Sequence, residues 1–274
     1  MLVAQITDLH ILANRAPAYG VCDTSQALEA LEDYLFKLAP PLDALVMTGD
    51  LADLGEPEAY AFIARLFARW SIPVLALPGN HDARGPFLRL LGPFCPTPRP
   101  DNLSFAFRLG PLNLIMLDDV LEGQHGGHLS PEAGDFLQNE LAAEPAAQTI
   151  LFTHHPPFAS GLGVLDEPFG GLTTLLTLLS QYPGRLSLAS GHLHRGLVAE
   201  LPPSAQLPWP RPIRALVAPP VGMPIELEIG PYGGRKFFLG APGFALHLLD
   251  GDRRVSHFGA VPGAWPFSGP HPFD

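Results

Sequence analysis

Five short polar motifs carry residue types that could do chemistry together. They are Asp8-Leu9-His10, Gly49-Asp50, Gly79-Asn80-His81-Asp82, the pair His154-His155, and Gly191-His192-Leu193-His194. In a strand-to-loop turn, residues two apart can face the same side, so Asp8 can converge with His10, and His192 with His194. Taken singly, each motif reads equally as turn punctuation: an Asp after a Gly is ordinarily a turn residue. Taken together, the carboxylates, imidazoles and one amide oxygen form a mixed nitrogen and oxygen donor set. Such a set suits Mn²⁺, Fe, Co²⁺ or Zn²⁺ and argues against Ca²⁺ or Mg²⁺ alone. Two such ions about 3.5–4 Å apart can clamp the attacking and leaving oxygens of an in-line displacement. Holding two dications that close requires an anionic bridge, which a single carboxylate can provide.

Each motif follows an apolar run that reads as a buried strand, at residues 2–7, 44–48, 74–77, 149–153 and 186–189. Helical spacing of apolar residues predicts helices at 25–38, capped by Thr24 or Ser25, and at 58–70, 131–141 and 172–181. Residues 104–108 and 113–117 flank Gly110-Pro111 and read as a hairpin-like pair. The alternation of strands and helices predicts a layered α/β fold, in which ligands gather at the carboxyl edge of the strands. After residue 200 the texture changes, with Pro202, Pro203, Pro208, Pro210, Pro212, Pro219, Pro220 and Pro224 crowding a short stretch. Strand-like pieces follow at 225–229 and 244–249. The expected organisation is a core at 1–200 and a Pro-rich, β-rich extension at 201–274, packed on the core or at a subunit interface.

Of the 274 residues 47% are hydrophobic and 16% charged, enough apolar material for a sizeable core. The formal net charge of −11 disfavours a nucleic-acid polymer as partner. It leaves room for a small phosphate ester, because a metal pair can reverse the field inside one pocket. Cys22 and Cys95 lie outside any metal-binding spacing and read as reduced thiols. The N-terminus lacks the basic and apolar regions of a signal peptide, and no apolar run approaches the roughly 20 residues of a membrane span. The expected location is the cytoplasm, with no membrane partner.

The motif set resembles that of the calcineurin-like metallophosphoesterases. Within them the chain looks most similar to bacterial glycerophosphodiesterases and class III cyclic-nucleotide phosphodiesterases. The likeness spans residues 1–195 and includes YGVCD at 19–23, PGNHD at 78–82, FLRLLGPFCP at 87–96 and FTHHPP at 152–157. It implies a four-layer αββα sandwich with a C-terminal β-rich appendage. It also implies two divalent or mixed-valence transition-metal ions (Mn, Fe, Co or Zn), with Asp8, His10 and His194 on one ion and Asn80, His154 and His192 on the other. Asp50 would bridge them. Spacing does not settle which of His154 and His155 ligates; the family pattern uses the first. His155 would then stand behind the ligands; Asp53 and Asp82 could orient ligand histidines or equally serve as turn or cap residues.

The implied reaction is hydrolysis of small phosphodiesters, either glycerophosphodiesters or cyclic nucleotides, by in-line attack of a metal-bridging hydroxide. His81, Asn80 and Asp50 would be the catalytic residues, with His81 donating to a phosphoryl oxygen or to the leaving group. Alternatives are a phosphomonoesterase acting on nucleotide or sugar phosphates, a nuclease, which the acidic charge opposes, and a metal-free scaffold. Two departures limit the transfer. A further histidine of the glycerophosphodiesterases has no counterpart at 218–224, and the tail cysteines that link some relatives' subunits are absent. Homo-oligomer formation through the extension is an open expectation. His125, His128, His247, His257 and His271 read as surface or internally satisfied, in a chain whose loop 122–129 could border the pocket.

Overall fold

Short apolar strands alternate with amphipathic helices along the first two thirds of the chain. The computed structural model describes residues 1–96, 102–143, 145, 147–202 and 212–273. The first half contains β1 (Leu2–Ile6), α1 (Thr24–Phe36), β2 (Ala44–Thr48), α2 (Pro57–Phe67), β3 (Val74–Leu77) and α3 (Arg84–Leu91). Then come β4 (Phe105–Leu109), β5 (Leu112–Met116), α4 (Pro131–Ala143), β6 (Gln148–Phe152), α5 (Leu172–Ser180) and β7 (Arg185–Ser190). The remainder is all strand: β8 (Leu197–Leu201), β9 (Ile213–Val217), β10 (Lys236–Leu239), β11 (Gly243–Asp250), β12 (Arg253–Ala260) and β13 (Ser268–Pro272).

The strands form a five-stranded sheet in the order β12-β11-β1-β2-β3 and a six-stranded sheet in the order β4-β5-β6-β7-β9-β8. Within the first sheet β1, β2 and β3 run parallel; within the second, β5, β6, β7 and β9 do. Parallel strands buried on both faces read as continuous apolar runs, and β2 and β5 are buried at every position. Alternation along β5 shows the layering. Leu114 and Met116 join the cluster that contains Val3, Ile6 and Val46 of the first sheet. Ile115 and the following Leu117 join Leu137 and Leu141 of α4 and Leu175 and Leu179 of α5. On the far side of the first sheet lie the apolar stripes of α1 (Leu28, Leu31, Leu35), α2 (Tyr60, Ile63, Phe67) and α3 (Phe87, Leu91). The result is helices, sheet, sheet, helices, as the resemblance implied.

Several boundaries differ from the sequence expectation. Helix α1 is capped by Asp23, whose carboxylate accepts from Gln26 N at 2.9 Å, in place of Thr24 or Ser25. Residues 225–229 are not a strand: Ile225 makes an isolated bridge to Phe237, while Glu226 N donates to Lys236 O and Glu228 N to Glu226 O, so no ladder continues. Residues after 212 go to three places. Strand β9 sits inside the second sheet, β11 and β12 extend the first beyond β1, and β10 pairs with β13 as a separate ribbon. Pro203, Pro208 and Pro210 fall outside the described residues. No described helix is long and apolar enough to cross a membrane.

Candidate active site

The five motifs leave the carboxyl ends of β1, β2, β3, β6 and β7 and meet at one edge of the sandwich. The turns that deliver them are tight. Asp8, His10, Asp50, His192 and His194 all hold positive φ, between 44° and 69°. Side chains with a Cβ rarely adopt that region, and it persists only where the surroundings enforce it. Two glycines make room: a Cβ on Gly49 would overlap the His154 ring, and one on Gly79 would overlap the Asp50 backbone and carboxylate. Hydrogen bonds then tie loop to loop. Asp8 N donates to Gly49 O at 3.1 Å, His10 N to Asp50 O at 2.9 Å, and His192 N to Asp8 Oδ1 at 3.0 Å.

Asp82 braces two of these loops. Its Oδ1 accepts from Ala52 N and from the Tyr60 hydroxyl, both at 2.9 Å, and its Oδ2 accepts from Leu51 N at 3.1 Å and Gly79 N at 2.8 Å. It orients no histidine; its work is to hold the backbone after Asp50 against the backbone before Asn80. Asp53 does face a histidine, with Oδ1 2.7 Å from His10 Nδ1.

The seven residues expected to ligate lie together. Donor atoms of Asp8, His10 and His194 fall within 4.8 Å of one another, as do those of Asp8, Asp50 and His154 and those of His154, His155 and His192. Asp50 Oδ2 stands between the groups, 3.7 Å from His10 Nε2 and 3.3 Å from His154 Nε2. Asn80 Oδ1 is 3.1 Å from His154 Nε2 and 3.2 Å from His155 Nε2. Both imidazoles of the pair therefore face the amide oxygen, and only His154 also approaches Asp50.

These residues fit divalent cations. His10 Nδ1 donates to Asp53, His154 Nδ1 to Thr48 O at 2.9 Å, and His194 Nδ1 to Met223 O at 3.0 Å. Those outward acceptors place the proton on Nδ1 and aim the Nε2 lone pair inward. His10 Nε2 and His194 Nε2 then oppose each other at 3.0 Å, an arrangement of two lone pairs that calls for a positive charge beside it. Asp8 Oδ2 is buried with no hydrogen-bond partner. Burial pushes the Asp8 carboxyl up to about 6 and holds His194 down to about 4. Burial, then the charges of His155 and His154, keep His192 well below its ordinary value. Burial would raise Asp50, but His154, His81 and His10 outweigh it and hold the carboxylate well below the usual range. Burial lowers the His154 pKa, but Asp50 and Asp8 outweigh it and push it up to about 10, so a proton stands where metal binding needs a lone pair and a bound cation has to displace it.

A cavity of about 290 Å³ opens over this cluster, with His10, Asp50, Asn80, His192 and His194 at its lining. His81 also lines it, its side chain 31% exposed where that of His10 is 3%. His81 Nδ1 donates to Asp53 O at 2.9 Å and its backbone N to Asp50 Oδ1 at 2.9 Å, so Nε2 is the ring atom left for the pocket. Burial lowers the His81 pKa, but Asp50 and Asp53 outweigh it and the net shift is upward.

Over residues 1–196 the sequence matches the family described as calcineurin-like phosphoesterase. The chain belongs to that family. It is an enzyme, a hydrolase acting on phosphoric esters. A probable glycerophosphodiester phosphodiesterase of Arcobacter nitrofigilis is 29% identical over 100% of this chain and 97% of its own length. A 3′,5′-cyclic-nucleotide phosphodiesterase of Nostoc is 31% identical over 70% of this chain and 71% of its own. A dimetal phosphatase from Danio rerio superposes with a TM-score of 0.67 across 96% of both chains at 14% identity, a likeness of fold.

The strand-end residues do not make up the whole of the pocket. Asp119 takes His154 N at 3.3 Å and His155 N at 2.9 Å on its two carboxylate oxygens. It lies three residues beyond β5 and was not among the expected residues, although its place after an apolar strand is a signal that could have found it. Tyr19, Glu167, Arg235 and Phe273 also line the cavity. The last two come from the tail, where nothing in the sequence marked them. His125 lines it too, on the loop expected to border the pocket. His247, by contrast, is buried and satisfied by Gln5 and Ser256.

Proposed function

We propose that the chain is a phosphodiesterase with a two-metal centre, acting on small phosphodiesters such as glycerophosphodiesters or cyclic nucleotides. The observation that carries this reading is the position of Asp50 Oδ2 between two groups of inward-facing donors. In that reading Asp8, His10 and His194 would hold one ion, Asn80, His154 and His192 would hold the other, and Asp50 would be shared. Mn, Fe, Co and Zn suit this donor set. When bound, such ions supply Lewis acidity toward the phosphoryl oxygens and activate water.

The chain's own residues do the rest. Asp53 and the Thr48 and Met223 carbonyls fix the ring orientations of the ligand histidines. The Asn80 amide oxygen points to the metal groups, which leaves its NH₂ to donate to substrate. His81 presents Nε2 from beside the cluster, placed to donate to a phosphoryl oxygen or to the departing alkoxide. The named activities of the relatives, a glycerophosphodiester phosphodiesterase and a cyclic-nucleotide phosphodiesterase, favour diesters over monoesters. Self-association through the tail is a companion reading, favoured by Ile229, Tyr232 and Phe267, which are exposed on it.

The test is a panel on metal-reconstituted protein. It compares bis(p-nitrophenyl) phosphate, p-nitrophenyl phosphate, cyclic AMP and glycerophosphoethanolamine. Diesters should lead by kcat/KM. A preference for p-nitrophenyl phosphate would make the protein a phosphomonoesterase, and inactivity on all four with full metal content would leave the scaffold reading.

A further inference from the structure

The pocket contains one Lys or Arg side chain among the described residues that line it, Arg235. In a chain of net charge −11, a cation beside Asp50 and Glu167 is expected to be paired. Arg235 is not. Its guanidinium has no hydrogen-bond or ion-pair partner among the described residues, and its recorded neighbour is the Tyr232 ring, 5.6 Å away. The next residue behaves differently: Lys236 pairs with Glu226 at 3.5 Å.

The backbone that carries Arg235 is nevertheless pinned. Gly234, at φ 89°, approaches Val164 and Leu165 so closely that a Cβ would overlap Leu165 and crowd Val164. Val164 N donates to Gly233 O at 3.1 Å, and Phe273 N donates to Arg235 O at 3.2 Å. An unpaired cation is thus held over the pocket on a backbone tied at Gly233 and Arg235. Six of the seven ligand groups at the base are buried and Asn80 is half-buried, whereas Arg235 is exposed. Arg235 lines one cavity with His10, Asp50, Asn80, His192 and His194, so a phosphodiester seated at the base extends into a pocket whose rim carries this cation. Val164, Leu165, Tyr19 and Phe273 supply apolar wall for the body of that group.

Building on the phosphodiesterase reading, we propose that Arg235 is a specificity-determining residue that selects phosphodiesters carrying a second anionic group, a phosphate or carboxylate, away from the phosphate that is cleaved. An exposed guanidinium on an anion forms charge-assisted, often bidentate hydrogen bonds, and about tenfold in selectivity is the expected size.

The experiment uses the Mn-reconstituted full chain and two diesters with the same leaving group, thymidine 5′-(p-nitrophenyl phosphate) with and without a 3′-phosphate. The readout is the ratio of their kcat/KM values. The wild type should prefer the 3′-phosphorylated diester by about tenfold, through KM, and the preference should shrink with added salt. Arg235→Ala should bring the ratio to near one, Arg235→Lys should keep part of it, and Arg235→Glu should invert it. A ratio that Arg235→Ala leaves unchanged overturns the proposal, as does a wild type without the preference. Turnover of bis(p-nitrophenyl) phosphate by the wild type separates the two failures: where that activity is also missing, the phosphodiesterase reading has failed first.

Discussion

Replacing Asp82 by Asn should loosen the site without touching a ligand. The carboxylate accepts four hydrogen bonds, two on each oxygen. An amide can accept on one side only. In its cheaper orientation the NH₂ takes the place of Oδ1, because the Tyr60 hydroxyl can turn from donor to acceptor there. Ala52 N is then left without an acceptor in a buried position, at about 1–3 kcal/mol. The bonds from Leu51 N and Gly79 N now go to a neutral oxygen and weaken by several tenths each. The sum is about 2–4 kcal/mol, large against a typical 5–15 kcal/mol but not enough to unfold the protein. Urea unfolding of metal-free protein measures it. A metal titration should show weaker binding as well, since the brace joins the Asp50 and Asn80 loops. A loss of stability below about 0.5 kcal/mol would refute the brace.

His81→Ala should keep both metals and lose about 10²–10⁴-fold on alkyl diesters but much less on p-nitrophenyl diesters, whose leaving group needs no acid; equal losses in a leaving-group series would point to phosphoryl-oxygen stabilisation. Asp53→Ala frees His10 Nδ1 and should weaken the ion on the Asp8, His10 and His194 side by about 10–100-fold, read by competitive metal titration; unchanged affinity would remove Asp53 from the site. His247 is held by burial at about 4, below its ordinary 6.5. The unfolded chain therefore takes the proton first as pH falls, and stability should drop by on the order of 3 kcal/mol between pH 6.5 and 4. His247→Gln should flatten that part of the metal-free pH profile in denaturant unfolding, and an identical slope would contradict the assignment.

The strand-end logic of the sequence was informative because parallel strands buried on both faces have an unmistakable apolar signature. A polar residue that ends such a run stands out, and Asp8, Asp50, Asn80, His154 and His192 all did so. What the sequence left unread depends on distant chain. Strands β8 and β9 flank a proline-rich stretch, and Leu197–Leu201 alternates between exposed and half-buried positions, so neither carried a strong pattern. Residues 225–229 have strand composition, but their backbone donors go to His194 O, Lys236 O and Glu226 O, three unrelated places that build no ladder. Asp82 looked equally like a turn residue and a histidine partner; its four donors come from three separate segments that only folding brings together. Arg235 and Phe273 reach the pocket because the tail returns to it as a ribbon, a placement no local spacing encodes.

Anomalous scattering from crystals reconstituted with Mn²⁺ or Zn²⁺ tests the two-metal centre most directly. The account predicts two peaks about 3.5–4 Å apart with Asp50 on both, His10 and His194 on one, and Asn80, His154 and His192 on the other. A single peak at full loading, or two peaks with Asp50 bound to only one of them, would contradict it.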